Sequence, residues 1–281
     1  MDGALQIRDY FYAGFNNYCL KTYEHLGEEE KMQAAEYIYQ IYMINNMNNN
    51  LILNLRNSKE ENLYLLYLYY KYYYLDEKED VLTEIKKIRT SSTNGTILKS
   101  RILFDHDLMD ECFDLLNDDN IEIKAAKFFF LFSINRNDLV KEMIDDYLKM
   151  NDEIPIIKIV LAIFYLYNDN NKESFLIFDD LESLYTSVVN DISAVILNGK
   201  GVSNILNYEF NDAKEILKNS MKSKICNADI IFNLVTCSLY LFELDEANEY
   251  LNQLYNFYPS HDSLTVLKKI DHEVDNFVAE F

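Results

Sequence analysis

A step of 34 residues constrains this chain more than any other feature. Leu197, Gly201, Phe210, Ala213 and Leu217 recur as Ile231, Val235, Leu244, Ala247 and Leu251, each displaced by 34 positions and each apolar or small. The same step carries Phe128, Leu131, Val140, Ile144 and Tyr147 onto Ala162, Tyr165, Ser174, Phe178 and Leu181. Five positions in register, twice over, are a repeat, and a period of ~34 is that of the tetratricopeptide (TPR) helical hairpin. In such a hairpin a small residue lets the first helix approach the second, and a large apolar residue follows the turn. Another small residue lies where the second helix crosses back. Gly201, Phe210 and Ala213 supply that set in order. Pro259 then falls where a proline ends the second helix, because its ring cannot continue the hydrogen-bond ladder.

Toward the amino terminus identity fades but helical spacing of apolar residues persists. Second-helix crossing positions at Cys19, Asn50, Val81, Met109, Val140, Ser174, Ala213 and Ala247 are separated by 28 to 39 residues. Polar breaks at Asn45 to Asn50, Ser92 to Gly95, Asn117 to Asn120 and Asn168 to Asn171 mark turns between helices. With only 6 Gly and 2 Pro, the chain lacks the turn formers of a sandwich or barrel. The expected fold is all-α, a TPR-like helix-hairpin superhelix of about eight hairpins with a C-terminal capping helix. Residues 1–281 are expected to form one solenoid domain, with repeats over 1–259 and a cap over 260–281. Leu264, Leu267, Ile270, Val274, Phe277 and Val278 would cover the open apolar face of the last repeat.

Charge and residue chemistry then exclude several functions. A net charge of −21 repels nucleic-acid phosphates and anionic membranes, so neither is an expected direct partner. Cys19, Cys112, Cys226 and Cys237 are isolated, without a CxxC pair, which fits a reducing compartment. No stretch reads as a secretory leader or a membrane span, so a soluble cytosolic chain without membrane insertion is expected. His25, His106, His261 and His272 lack metal-ligand spacing. Phosphate-cradling and nucleophile-elbow motifs are absent, so no catalysis, cofactor, metal or small-molecule substrate is expected. Asp105, His106 and Asp107 are consecutive, cannot share a helix face, and read as a helix N-terminal turn. Glu28 to Glu30, Asp76 to Asp80 and Asp118-Asp119 lack the alternating ligands and glycine of a calcium loop and read as solvated segments.

What remains is protein binding. The aromatic run Leu63 to Leu75 is too apolar for one helix face and should be buried on several sides. First helices of TPR hairpins line the inner surface, and the register places Tyr39, Tyr42, Tyr70, Tyr73, Phe129, Phe132, Ile163, Leu166, Val202, Ile205 and Leu239 there. Such a stripe either packs against itself in a tightly wound array or accepts an extended or hairpin segment of another protein. A TPR adaptor or cochaperone, the alternative reading, would grip a carboxylate with basic first-helix side chains, whereas this stripe is apolar. A prenyltransferase-like α-chain would carry repeated Trp motifs, and this chain has no Trp.

Beyond the repeats, the sequence resembles one family, the epsilon subunit of coatomer, the COPI vesicle coat. Phe11-Tyr12-Ala13-Gly14 with Cys19-Leu20 is similar to that family's opening hairpin. Ile196-Leu197-Asn198-Gly199, Phe210 with Ala213, and Asn233-Leu234 are similar to its last two repeats. Pro259-Ser260-His261, followed by a charged terminal helix with Glu273 and Phe277, resembles its ending. The resemblance implies a non-catalytic TPR-like subunit that binds the C-terminal region of the coatomer alpha subunit. Through it the chain would contact the rest of coatomer indirectly, in Golgi-to-ER retrograde transport. Its location would be cytoplasmic and peripheral, on Golgi membranes and COPI vesicles through the coat.

Overall fold

The computed structural model describes residues 3–45, 47–90, 92–147, 149, 154–186, 189, 193–221, 227–259 and 261–279. Cys226 and Ser260 lie outside the described residues. Among the described residues the secondary structure is helical throughout. In chain order the hairpins are α1 (Gly3–Tyr12) with α2 (Asn16–Glu24), α3 (Glu28–Ile44) with α4 (Asn49–Asn54), α5 (Glu61–Tyr74) with α6 (Lys78–Ile85), and α7 (Thr93–Asp105) with α8 (Met109–Leu115). Then follow α9 (Ile121–Ser133) with α10 (Asn137–Tyr147), α11 (Pro155–Tyr167) with α12 (Asn171–Thr186), α13 (Ala194–Leu206) with α14 (Phe210–Ser220), and α15 (Ala228–Tyr240) with α16 (Leu244–Phe257). A final helix, α17 (Asp262–Ala279), follows the eighth hairpin, and Leu55–Asn57 prolongs α4 as a 3-10 turn. The all-α hairpin architecture expected from the repeat is thus present.

The chain divides into two compact units, 1–161 and 162–281. In the first, α1, α3, α5, α7 and α9 pack in succession, and each hairpin touches its neighbours. One core cluster of this unit is built on Leu65, Leu66, Leu68, Val81, Ile85 and Ile102, all fully buried. In the second unit α12 to α16 pack in sequence, α13 also against α15, around Leu217, Ile230, Leu234 and Leu254. Gly201 has its expected role: a Cβ there would stand 2.6 Å from the Leu217 side chain, so α13 and α14 meet at that distance only over glycine. All eight second-helix crossing positions fall at or inside second helices. Six of them are buried, but Asn50 is exposed and Met109 half-buried; the fully buried Ile52 and Cys112 take those places.

Seven hairpins turn in the same way. Gly14, Asp76, Asp107, Asn135, Asp169, Tyr208 and Phe242 each have φ between 56° and 80°. After six of them the next residue donates its N–H to the carbonyl five positions back, as Phe15 does to Tyr10, Leu108 to Leu103 and Glu243 to Ser238, whereas after Asp76 the Glu77 N–H reaches the Lys71 carbonyl, one residue further. This is the left-handed Schellman ending of a helix. Asn and Asp tolerate that conformation, which is how a chain with 6 glycines makes so many tight turns. Tyr208 and Phe242 do not tolerate it without strain, yet they are 80% and 88% exposed and gain little burial there. Tyr208→Gly and Phe242→Gly should each raise stability by about 1 kcal/mol, read as a higher thermal midpoint; a lower midpoint would show that these rings contribute to the fold.

Two expectations change here. Asp105-His106-Asp107 forms a turn at the C-terminal end of α7, not a helix N-terminal one, with Asp107 as the left-handed residue. In α17, Leu264 is fully buried and Leu267 packs beside it on the last hairpin, but Ile270, Val274 and Phe277 are exposed. At ~100° per residue the stripe of Val266, Ile270, Val274 and Phe277 points roughly 120° away from Leu264, so only the beginning of the helix caps. The side chain of Val278 lies outside the described residues.

Candidate partner-binding surface

In the first unit the first helices do not present a uniform apolar stripe. Helix α5 is apolar almost all round: Leu65, Leu66, Tyr67, Leu68, Tyr70 and Tyr72 are buried, while Tyr73, Tyr74 and Leu75 emerge at its end. Tyr70 is therefore a core residue. Tyr39 and Tyr42 are half-buried, meet edge to face at 6.1 Å, and pack on the α5 core. Tyr73 is partly exposed and tied to α7, donating from its hydroxyl to Asp105 Oδ2 at 2.5 Å while that hydroxyl oxygen accepts from Arg101 Nε at 3.3 Å. Burial, then the bond to Asp105, pushes the Tyr73 phenol well up. On α9, Phe129 is half-buried, but Phe132 is buried edge to face on Phe128, ring centres 4.4 Å apart, and belongs to the core.

Instead, a polar pin joins the first helices of this unit. Tyr12 of α1 and Tyr37 of α3 both donate to Glu122 Oε2 in α9, at 2.6 and 2.9 Å. Arg8, held to Asp9 at 2.8 Å, stands in the field of Glu122 and Tyr37. The rings of Phe11 and Tyr12 lean on Tyr37 at 5.4 and 6.3 Å. Nearby, Ser92, which caps α7, donates to Glu36 Oε2 of α3 at 2.9 Å. The pairing of Tyr12 with Glu122 is not readable from the sequence, because it joins positions 110 residues apart.

In the second unit the residues of the expected row are less buried. Ile163, Leu166, Val202 and Ile205 are half-buried and Leu239 is half-exposed. Asn233 Nδ2 of α15 donates to Asn198 Oδ1 of α13 at 2.8 Å, so these two asparagines link successive first helices. The following Gly199 faces Phe178 of α12. Behind the row, Lys200 reaches Asp179 at 2.6 Å and Glu182 at 2.7 Å across to α12. Lys214 binds Glu243 and Glu246 of the next hairpin, and Lys218 shares Glu246. Lys214 and Lys218 hold the Glu246 carboxyl down to about 2.

The acidic runs have local roles. Glu28 to Glu30 open α3, where Glu30 accepts from the Gly3 and Gly27 amides and all three complement the helix N-terminus. Asp76 makes a turn, with Glu79 and Asp80 opening α6. Asp118 accepts from the Asn120 amide at 2.7 Å, and Asp119 pairs with Lys124 at 2.9 Å. Among the described residues no group of three or more His, Cys, Asp or Glu is placed to hold a metal ion, and no helix is long and apolar enough to cross a membrane. His106 packs on Tyr72, and His261 reaches Asp229 at 3.1 Å.

A family model described as the coatomer epsilon subunit matches residues 2–281. Among individual proteins, the chain is 27% identical over 159 residues to "Coatomer subunit epsilon-2" of Oryza sativa subsp. indica, covering 56% of this chain and 50% of that protein. It is 24% identical over 159 residues to "Coatomer subunit epsilon-1" of Arabidopsis thaliana, covering 56% of this chain and 51% of that one. A longer match, 21% identical over 209 residues, reaches 69% of "Coatomer subunit epsilon-1" of Oryza sativa subsp. japonica. The chain thus spans about half the length of the first curated relatives it matches.

Proposed function

Because this chain belongs to the coatomer epsilon subunit family, we propose that it is a non-catalytic subunit of the COPI coat that binds and stabilises the C-terminal region of the alpha subunit. The family match across residues 2–281 is the observation that carries the reading. The fold is consistent with it: an array of helical hairpins offers long side-chain rows suited to a polypeptide segment. The partner-facing residues are the half-exposed ones of the expected stripe, Tyr39, Tyr42, Tyr73 and Phe129 in the unit of residues 1–161, and Ile163, Leu166, Val202, Ile205 and Leu239 in that of residues 162–281. Tyr70 and Phe132 support them from the core. A net charge of −21 gives the chain no attraction to an anionic cytoplasmic membrane surface, so recruitment to the Golgi runs through the coat. The subunit then acts in the cytoplasm and on vesicles of Golgi-to-ER retrograde transport.

Co-expression with a C-terminal fragment of the alpha subunit should yield a stoichiometric complex that survives gel filtration. Leu239→Glu, at an exposed position, should weaken that complex by about tenfold or more without changing the thermal midpoint. Absence of a complex at every ionic strength would overturn the assignment, and a complex indifferent to Leu239→Glu would move the contact away from this row.

A further inference from the structure

The turns of the last two hairpins carry an aromatic edge that neither the fold nor the inner row requires. Tyr208 and Phe242 are repeat equivalents, 34 positions apart, and both hold the left-handed conformation that bulky side chains disfavour. Glycine would fit both turns better, so strain is kept where a ring is displayed to solvent. Between them Phe210 and Tyr240 stack face to face, ring centres 4.3 Å apart and planes within 7°. Tyr208 meets Phe210 edge on at 6.2 Å. Tyr208, Phe210 and Tyr240 are thus one row of touching rings, and Phe242 and Leu244, 88% and 60% exposed, follow Tyr240 in the chain.

The row is bordered by carboxylates. Glu209 precedes Phe210 at the start of α14, Asp212 lies in the first turn of that helix and Asp245 in the first turn of α16, and none of the three has an ion pair among the described residues. The neighbouring cations are already engaged, Lys214 with Glu243 and Glu246, Lys218 with Glu246. Aromatic faces near carboxylates that lack a cationic side-chain partner attract a Lys- or Arg-bearing chain through cation–π and ionic contacts while repelling anionic lipid headgroups.

We propose that this edge is a second docking surface, separate from the first-helix row, for a cationic segment of a partner polypeptide with an apolar anchor. The test uses the full chain and a fluorescein-labelled amphipathic Lys/Leu peptide, with its Glu/Leu counterpart, read by fluorescence anisotropy. Wild type should bind the Lys/Leu peptide and not the Glu/Leu one. The double variant Tyr208→Gly and Phe242→Gly should bind it about tenfold more weakly while melting no lower than wild type. Net charge is the same in both, so bulk attraction is controlled, and a raised melting point rules out misfolding as the cause. The triple variant Glu209→Gln, Asp212→Asn and Asp245→Asn should also weaken binding and flatten its salt dependence. Failure of wild type to bind the Lys/Leu peptide, equal binding by the double-glycine variant, or unchanged binding by the triple variant would overturn the proposal. Equal affinity for the Glu/Leu peptide, or preferential binding to phosphatidylserine vesicles, would overturn it as well.

Discussion

Gly199→Ala should destabilise the unit of residues 162–281 by about 2 kcal/mol, although helix propensity alone argues the opposite sign. Replacing an interior helical glycine by alanine ordinarily gains about 1 kcal/mol. Here the new Cβ would lie 2.4 to 2.5 Å from three atoms of the Phe178 ring, where ordinary contact is about 3.5 Å or more. Phe178 is 3% exposed, and a planar ring in a filled core has no free rotamer to retreat into. Relief therefore requires α12 and α13 to move apart, and overpacking of this kind costs about 1 to 3 kcal/mol. The upper end applies because three ring atoms overlap at once. Urea denaturation should show a lower midpoint at unchanged slope. Gly199→Ala with Phe178→Leu should recover part of the loss, since the two side chains share one space. A variant as stable as wild type would show that glycine does not set this helix approach.

This close approach was half legible. Gly201 stood out because the TPR hairpin pattern wants a small residue where its two helices meet, and its contact with Leu217 follows. Gly199 faces the preceding hairpin, a relation that no single repeat displays. Asp169 betrayed its turn by lying in the polar break Asn168 to Asn171, whereas Tyr208 and Phe242 did not, because aromatic residues carry no turn signal. The crossing positions slipped to Asn50 and Met109 in helices of only 6 and 7 residues, too short for periodicity to select the buried side. Tyr70 and Phe132 were assigned to a surface because α5 and α9 are apolar on nearly every side, and a helix without a polar face gives no phase to read. Glu122 reads locally as an acid favoured in a first helical turn, and nothing near it in the chain announces Tyr12 or Tyr37.

Glu122→Leu should destabilise the unit of residues 1–161 by about 3 kcal/mol, and Glu122→Gln by less than half as much. Leucine leaves the hydroxyls of Tyr12 and Tyr37 without their shared acceptor, and each buried donor so orphaned costs about 1 to 3 kcal/mol. Glutamine keeps an acceptor oxygen in the same place. Circular dichroism in urea measures both, and equal losses would mean that shape rather than hydrogen bonding fixes the site. The same pin sets an alkaline limit. Burial first, and Glu122 second, push the Tyr12 and Tyr37 phenols well above their ordinary value of 10.0. Since the folded state holds the proton more tightly than the unfolded chain, this stabilisation is complete below pH 10.0 and is lost as pH rises toward the raised values. Tyr69, pushed up to about 12 by burial, adds to the same window. The last part of the tyrosinate absorbance to appear above pH 10.0 should therefore coincide with loss of the helical signal, because these buried rings ionise only as the helices separate. Full ionisation with the helices intact would place the phenols in solvent. In the unit of residues 1–161 the pin joins α1, α3 and α9, the helices from which Tyr39, Tyr42 and Phe129 project. Loss of Glu122 should thus also weaken the alpha-subunit complex, and Glu122→Gln should restore it.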